Sequence, residues 1–362
     1  MTAGLRKTAA LLALAVMFTG CSAPAESESG AALPDVVGSM DILYAEQFSV
    51  DYLADGSALA EVADGRRYLI IPDGGEVPEQ LPEDVTVISQ PENIYLASSS
   101  SMDLFSSLDC LGDILASSTP ESGWKLPEIA QAMADEDILY AGKYSSPDIE
   151  LLMSEGCDLA IENMMIYHSP KTAEQIESCG IPVFIERSSA ESHPLGRLEW
   201  VRLYGLMLGK SDEAEKFFSE KCSLLDEVTS RESTGCTAAF FYISSNGSAV
   251  VRKPGDYISK MIELAGGKYV FTAGDLNVDE NALSSANIQF EAFYALAKDA
   301  DCLIYNGTVD GGVDTLAQLT SKNPLLADFR AVQTGNVWCT NATVFQLSLI
   351  HISEPTRQAE IS

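Results

Sequence analysis

Several arginines, tyrosines and lysines of this 362-residue chain stand in turn-rich stretches just after strand-like runs, where a ligand could be held. Lys143, Tyr144, Tyr167 and Arg187 fall in the first half and Arg252 and Tyr305 in the second, with Ser99, Asn163, Ser245 and Asn341 at comparable positions. A guanidinium offers two parallel N–H donors to a pair of anionic oxygens, and aromatic faces stack on flat or cationic groups. The set suits holding an anionic molecule rather than breaking its bonds. Covalent catalysis has no recognisable seat, because the chain has no GxSxG elbow, HExxH, P-loop or strand-borne GxGxxG. Histidine is scarce. Of three histidines, His351 falls in the C-terminal stretch 347–362 that is set aside below, and His168 and His193 are too few for a bare zinc or manganese ion, which takes several imidazoles and carboxylates, so no metal site and no resident cofactor are expected. His193, between Glu191 and Arg197 and just ahead of Pro194, reads as a brace for a helix start. Beyond Cys21 seven cysteines remain, an odd number without a CxxC pair, which points to buried thiols rather than to a zinc knuckle or a full disulfide framework.

Side chains in loops need rigid elements behind them. Ser188 to Lys210 reads as a turn followed by one long helix, with Pro194 in its first turn and Gly209 closing it. Leu195, Leu198, Val201, Leu206 and Leu208 mix there with Trp200, Tyr204 and Met207, so apolar surface wraps most of the helix and calls for packing on several sides. Ahead of it, strands are expected at Ile42 to Leu53, Arg67 to Pro72 (the two as a hairpin), Val85 to Gln90, Ile94 to Ala97, Ile138 to Gly142, Asp158 to Ile161 and Ile181 to Glu186. Helices are expected between them: one capped by the serine loop at 98–101 with Met102, Phe105, Leu108 and Leu111 on one face, then Ile149 to Ser154 and Lys171 to Ser178. After the long helix come a second helix, Ser211 to Thr229, strands at Thr237 to Ser244, Cys302 to Tyr305 and Asn336 to Thr340, and helices at Asp256 to Leu264, Phe290 to Lys298 and Thr315 to Leu319. Strand and helix alternating in this way predict parallel βαβ units, whose loops at the strands' carboxyl ends take ligands. The expected fold class is therefore α/β, two Rossmann-like lobes with parallel sheets joined by one long bridging helix. The lobes are expected over 39–192 and 211–346, the bridge over 193–210, with a ligand cleft between the lobes.

Both ends of the chain read differently from its middle. Residues 1–20 have a signal peptide's parts: Arg6 and Lys7, the apolar run Ala9 to Phe18, then small residues before Cys21. Phe18-Thr19-Gly20-Cys21 resembles a bacterial lipobox, which makes Cys21 the lipidated first residue of the mature protein. Residues 21–38 are then a lipidated cysteine and flexible tether, small and polar through Pro34. At the other end, Leu347 to Ser362 resembles translated sequencing adapter, so the natural sequence is expected to part from this one near Gln346. With 22 basic against 53 acidic side chains the formal charge is -31, which repels phosphate backbones and excludes nucleic acid as a partner class.

Several stretches together resemble the substrate-binding lipoproteins of ABC importers for iron-siderophores, haem and corrinoids. They are IYLASSSSMDLFSSLDCLGDILAS, AGKYSSPDIELLMSEGCDLAIEN, LGRLEWVRLYGLMLGKSDEAEKFF, MIELAGGKY, IQFEAFYALAKDADCLIYNG and NPLLADFRAVQTGNVW, spanning roughly Ile94 to Trp338. The resemblance implies two lobes on a single rigid helix, a monomer tethered outside the cytoplasm by its lipid, and delivery of a large chelate to an ABC importer permease. By motif position it places the permease-docking carboxylates at Glu150 and Glu291, where exposed acids on helix starts can meet arginines. Ligand contacts are then expected from the loop residues named above, with Arg187, Arg252 and Tyr144 foremost, around an iron chelate. Haem or a corrinoid is the alternative, with Tyr144, Tyr167 or His168 as axial candidates for haem. A bare-metal receptor and a secreted metal-dependent hydrolase on the same plan are further alternatives.

Overall fold

The computed structural model describes residues 33–340 together with a two-residue strand near the C-terminus. Cys21 and Asn341 lie outside the described residues, as do the segment expected to be a signal peptide and nearly all of the stretch that resembles adapter.

Three sheets carry the chain. β1 (Val36–Ser39), β2 (Phe48–Leu53), β3 (Ala58–Val62), β4 (Arg67–Ile71) and β5 (Val85–Ser89) form the first in that order, antiparallel except for the β4–β5 pair. β1 begins inside the stretch 21–38 expected as tether and ends one residue beyond it. The expected hairpin is also revised: Ala58–Val62 supplies a strand between its arms, and of Ile42 to Leu53 only Phe48–Leu53 is strand. β3 escapes a sequence reading because it is five residues long between the tight turns at Gly56 and Gly65, both at left-handed φ +88.

The second sheet is parallel throughout. β6 (Ile94–Leu96), β7 (Ile114–Ser117) and β8 (Leu139–Tyr140) lead to a small ribbon, β9 (Gly142–Lys143) with β10 (Ser146–Pro147), and then to β11 (Leu159–Asn163) and β12 (Val183–Glu186). The order β12-β11-β6-β7-β8 means that the chain builds outward from β6 on one side, then returns to build on the other. The switch falls between β6 and β11, where open α/β sheets place their ligand crevice. The helix expected through this region ends early, at Ser107, because Asp109 takes a left-handed φ of +56; the remaining run Ile114–Ser117 is β7. The helix Pro127–Ala134 was not expected.

The third sheet is mixed rather than parallel. β13 (Thr237–Ile243), β14 (Ala249–Arg252), β15 (Lys268–Tyr269), β16 (Ser285–Ile288), β17 (Cys302–Tyr305), β18 (Val337–Cys339) and β19 (Ala359–Glu360) make it up. β13, β17 and β18 run parallel, whereas β14 turns back from β13 and β16 turns back from β14. Phe240, Phe241, Phe293, Tyr305 and Phe329 fill this lobe's core.

The bridging helix spans Pro194–Met207, shorter than the expected 193–210, and Gly209 at φ +66 turns the chain out of it. It is buried on nearly all sides: Trp200 packs on Phe48 and Phe184, Tyr204 on Phe105. His193 caps it, its Nδ1 accepting from the Leu195 amide at 3.1 Å, and burial lowers the imidazole's pKa. Two buried carboxylates fasten the 41–47 segment to the helix. Glu199 accepts from the amides of Leu43, Tyr44 and Ala45 at 2.7–2.8 Å and pairs with Arg202 at 2.9 Å. Glu191 accepts from the amides of Glu46 and Gln47 and from the Trp200 indole. These bonds occupy the amides that would otherwise join a sheet, which is why 42–47 is not strand. Gly196 admits the approach, since a Cβ there would sit 2.8 Å from the Tyr44 carbonyl oxygen. Toward the second lobe, Arg197 lies over the Tyr257 ring at 4.2 Å.

Candidate functional site

The switch between β6 and β11 is lined by short polar side chains that hold one another. Asn163 donates through Nδ2 to the Ala97 carbonyl at 3.1 Å and accepts from the Met165 amide. Buried Glu186, ending β12, accepts from the Ser98 hydroxyl at 3.0 Å and from the Ser188 amide at 2.7 Å. Ser101 links Ser98 to the Tyr204 hydroxyl of the bridging helix. Ser99 sits half-buried in this loop. The serine-rich loop, the β11 end and the β12 end are thus one rigid floor, tied to the bridge.

On that floor the structure brings Tyr167 and Arg187 together. Tyr167 lies in a 3-10 turn, Met164–His168, that Asn163 caps just past β11; Arg187 directly follows β12. One Arg187 Nη donates to the Tyr167 hydroxyl at 3.0 Å, while Nε and the other Nη donate to Gln47 Oε1 at 3.2 and 3.0 Å. The Tyr167 hydroxyl donates in turn to Asp64 Oδ2 at 2.6 Å. Burial first, and then the bond to Asp64, raises the Tyr167 pKa, so the phenol stays protonated. Of the five guanidinium donors three are engaged, and one on each Nη is left. Gln47 and Asp64 had no signal in the sequence, being 140 and 103 residues from their partners.

Other expected residues are placed separately. Lys143 is exposed on the β9–β10 ribbon, and Tyr144 is half-buried against the first lobe's core. His168 is exposed. In the second lobe Ser245 is exposed in the β13–β14 turn, closed by Gly247 N–H to the Ser244 carbonyl. Arg252 does not join it: because β14 is antiparallel, Arg252 lies at the opposite end of the strand pair, 3.6 Å from Asp256 and over the Phe240 ring. Tyr305 is core rather than loop, fully buried against Phe241, its hydroxyl donating to Asp310 at 2.6 Å. Glu150 and Glu291 are exposed in the first turns of the helices Ile149–Ser154 and Phe290–Ala297.

Apolar surface borders these strand ends. Tyr140 at the end of β8, Met165 and Tyr167 after β11, and Val309 after β17 are each between 41% and 55% exposed. All seven cysteines beyond Cys21 are free thiols, and burial pushes Cys110 and Cys157 up to about 11, leaving them unreactive. Among the described residues no group of three or more His, Cys, Asp or Glu side chains is arranged to hold a metal ion. No described helix is long and apolar enough to cross a membrane.

A profile of the periplasmic binding protein family matches residues 102–343. The uncharacterized lipoprotein MJ0878 of Methanocaldococcus jannaschii is 26% identical over 311 residues, 81% of this chain and 71% of that protein. Among solved structures, the periplasmic haem-binding protein HutB of Vibrio cholerae aligns with a TM-score of 0.59 at 16% identity, covering 73% of this chain and 96% of that one. The periplasmic catecholate-siderophore-binding protein VctP of Vibrio cholerae aligns with a TM-score of 0.55 at 14% identity, covering 70% and 86%. These likenesses are likenesses of fold, and they have two lobes in common with this chain.

Proposed function

Since the chain belongs to the periplasmic binding protein family, a family of binding proteins and not of enzymes, we propose that it is a receptor that captures an iron chelate between its lobes and delivers it to an ABC importer permease. The observation that carries this reading is the Arg187–Tyr167 pair at the carboxyl ends of β12 and β11, beside the β6–β11 switch. Two unengaged guanidinium donors on a rigid floor can take paired carboxylate or catecholate oxygens. Lys143, Tyr144, Ser99 and Asn163 in the first lobe, with Ser245 and Asn341 in the second, complete the proposed ligand set. Arg252 and Tyr305 leave it, being committed to Asp256 and Asp310.

The exposed Tyr140, Met165, Tyr167 and Val309 favour haem or a corrinoid as the second reading, because a flat macrocycle would cover apolar surface that a tris-catecholate would leave wet. HutB and VctP, as named, bind one ligand of each kind. The receptor works outside the cytoplasm as a monomer, held to the membrane by lipid on Cys21, in keeping with the lipoprotein relative.

Glu150 and Glu291 are the proposed permease contacts, one on each lobe and both solvent-facing. Reversing both charges, Glu150→Arg with Glu291→Arg, is expected to lower cellular uptake of the radiolabelled chelate by at least tenfold while leaving its binding to the purified protein unchanged. Uptake at the wild-type rate would remove the docking assignment.

A further inference from the structure

We infer that Gln47, just ahead of β2, and Asp64, in the β3–β4 turn, are positioning residues that aim the Arg187 guanidinium at anionic oxygens of the ligand. The inference rests on the receptor reading above. It concerns residues ahead of the segment 102–343 that the family profile matches.

An arginine on a loop ordinarily samples many rotamers, and ordering it on binding weakens affinity. Arg187 is ordered before any ligand arrives. Gln47 Oε1 receives the side edge of the guanidinium, Nε and one Nη together, which fixes the plane of the group. Tyr167 takes a donor of the other Nη, and Asp64 fixes Tyr167 by accepting a hydrogen bond from its hydroxyl, so the phenol oxygen presents a lone pair to Arg187. One N–H on each Nη is then left to donate to anionic oxygens of the ligand. The supports are themselves held. Gln47 is pinned through its amide to buried Glu191, and its carbonyl accepts from the Ala63 amide, one residue before Asp64. Asp64 Oδ1 accepts from the Arg66 amide, and Arg66 pairs with Glu177 at 3.0 Å on the helix that follows Tyr167. The choice of acceptor also matters. Gln47 is neutral, so it orients the guanidinium without cancelling its charge, and the Asp64 carboxylate meets Arg187 through a tyrosine.

The test compares Kd values for haemin and for a ferric tris-catecholate, both of which carry paired anionic oxygens, in two backgrounds. In the wild-type background Gln47→Leu, Gln47→Glu and Asp64→Asn are each expected to weaken binding about tenfold, the size of one charge-assisted contact. Gln47→Glu keeps the shape and both hydrogen bonds, so its loss reports charge cancellation and not misfolding. In an Arg187→Ala background the same three changes are expected to leave Kd where Arg187→Ala puts it, because they act only through that side chain. Unchanged affinity in the wild-type background, or equal weakening in both backgrounds, overturns the inference while the receptor reading stands. Failure of the wild-type protein to bind either probe overturns the inference, and failure to bind cobalamin as well overturns both.

Discussion

Replacing Glu162 by leucine is expected to stabilise the protein, by an amount that grows with pH to the order of 4 kcal/mol at pH 8 and above. Glu162 is fully buried near the end of β11, and neither of its carboxyl oxygens has a hydrogen-bond partner. Its strand neighbours in register on either side are Ala97 and Ile185, and Ile166 and Ala173 belong to the same apolar cluster. Desolvation pushes its pKa from an ordinary 4.5 up to about 8, and the titratable group it affects most directly, the Tyr95 hydroxyl on β6, is raised by burial and then by Glu162. A folded value above the unfolded one means that the folded chain holds an extra proton between the two. The contribution of Glu162 to stability is therefore greatest below pH 4.5, falls as pH rises toward 8 by up to ~1.4 kcal/mol per pH unit, and is level beyond. Urea unfolding of wild type and Glu162→Leu at pH 5, 7 and 9 reads this directly. The two free energies should diverge with pH; parallel profiles would mean that the carboxyl is solvated or paired.

Glu199 is equally buried and should behave in the opposite way. Glu199→Ala is expected to destabilise by ~3–5 kcal/mol, because it strands three amide donors and removes a partner of the partly buried Arg202. Every partner of this side chain is a donor, so an acceptor-only group is required. Glu199→Gln, whose NH2 would face an N–H, should lose ~1–3 kcal/mol rather than nothing. Hydrogen exchange localises the effect: the amides of 43–45 should lose protection in Glu199→Ala before the β2–β4 ladder does. Retained protection there would show that sheet packing, not the carboxylate, holds the 41–47 segment. The two glutamates differ in what faces them: Glu199 has four donors, whereas Glu162 has no hydrogen-bond partner.

That difference was not legible in the sequence, where both are single acids in apolar runs. What was legible followed from local pattern. The bridging helix shows in the spacing of Leu195, Leu198, Trp200, Val201 and Tyr204, and the cap role of His193 follows from its place before Pro194. The parallel first-lobe sheet follows from strands alternating with helices at 94–186. Hidden were features set by contacts distant in the chain. β3 and β7 are too short to show a period, and β14 reverses direction through a turn that looks no different from a crossover start. That reversal is what carries Arg252 away from the β13–β14 turn. Tyr305 ends a strand, as expected, but the face on which it sits is the core, a one-residue alternation that decides between ligand contact and packing. The support of Arg187 by Gln47 and Tyr167 by Asp64 depends on how the first sheet lies against the second, which no motif within either sheet encodes.

The most direct test of the receptor claim is a titration of the protein with ferric tris-catecholate, haemin, cobalamin and zinc, followed by tryptophan fluorescence. Trp124 is buried against the loop just after β7, donating to the Thr119 carbonyl at 3.2 Å, and so reports from beside the proposed crevice. Saturable quenching by one iron chelate or corrinoid at submicromolar concentration, lost or strongly weakened in Arg187→Ala, is the predicted result. Silence toward all three chelates together with tight binding of zinc would contradict it and assign the protein to bare-metal capture.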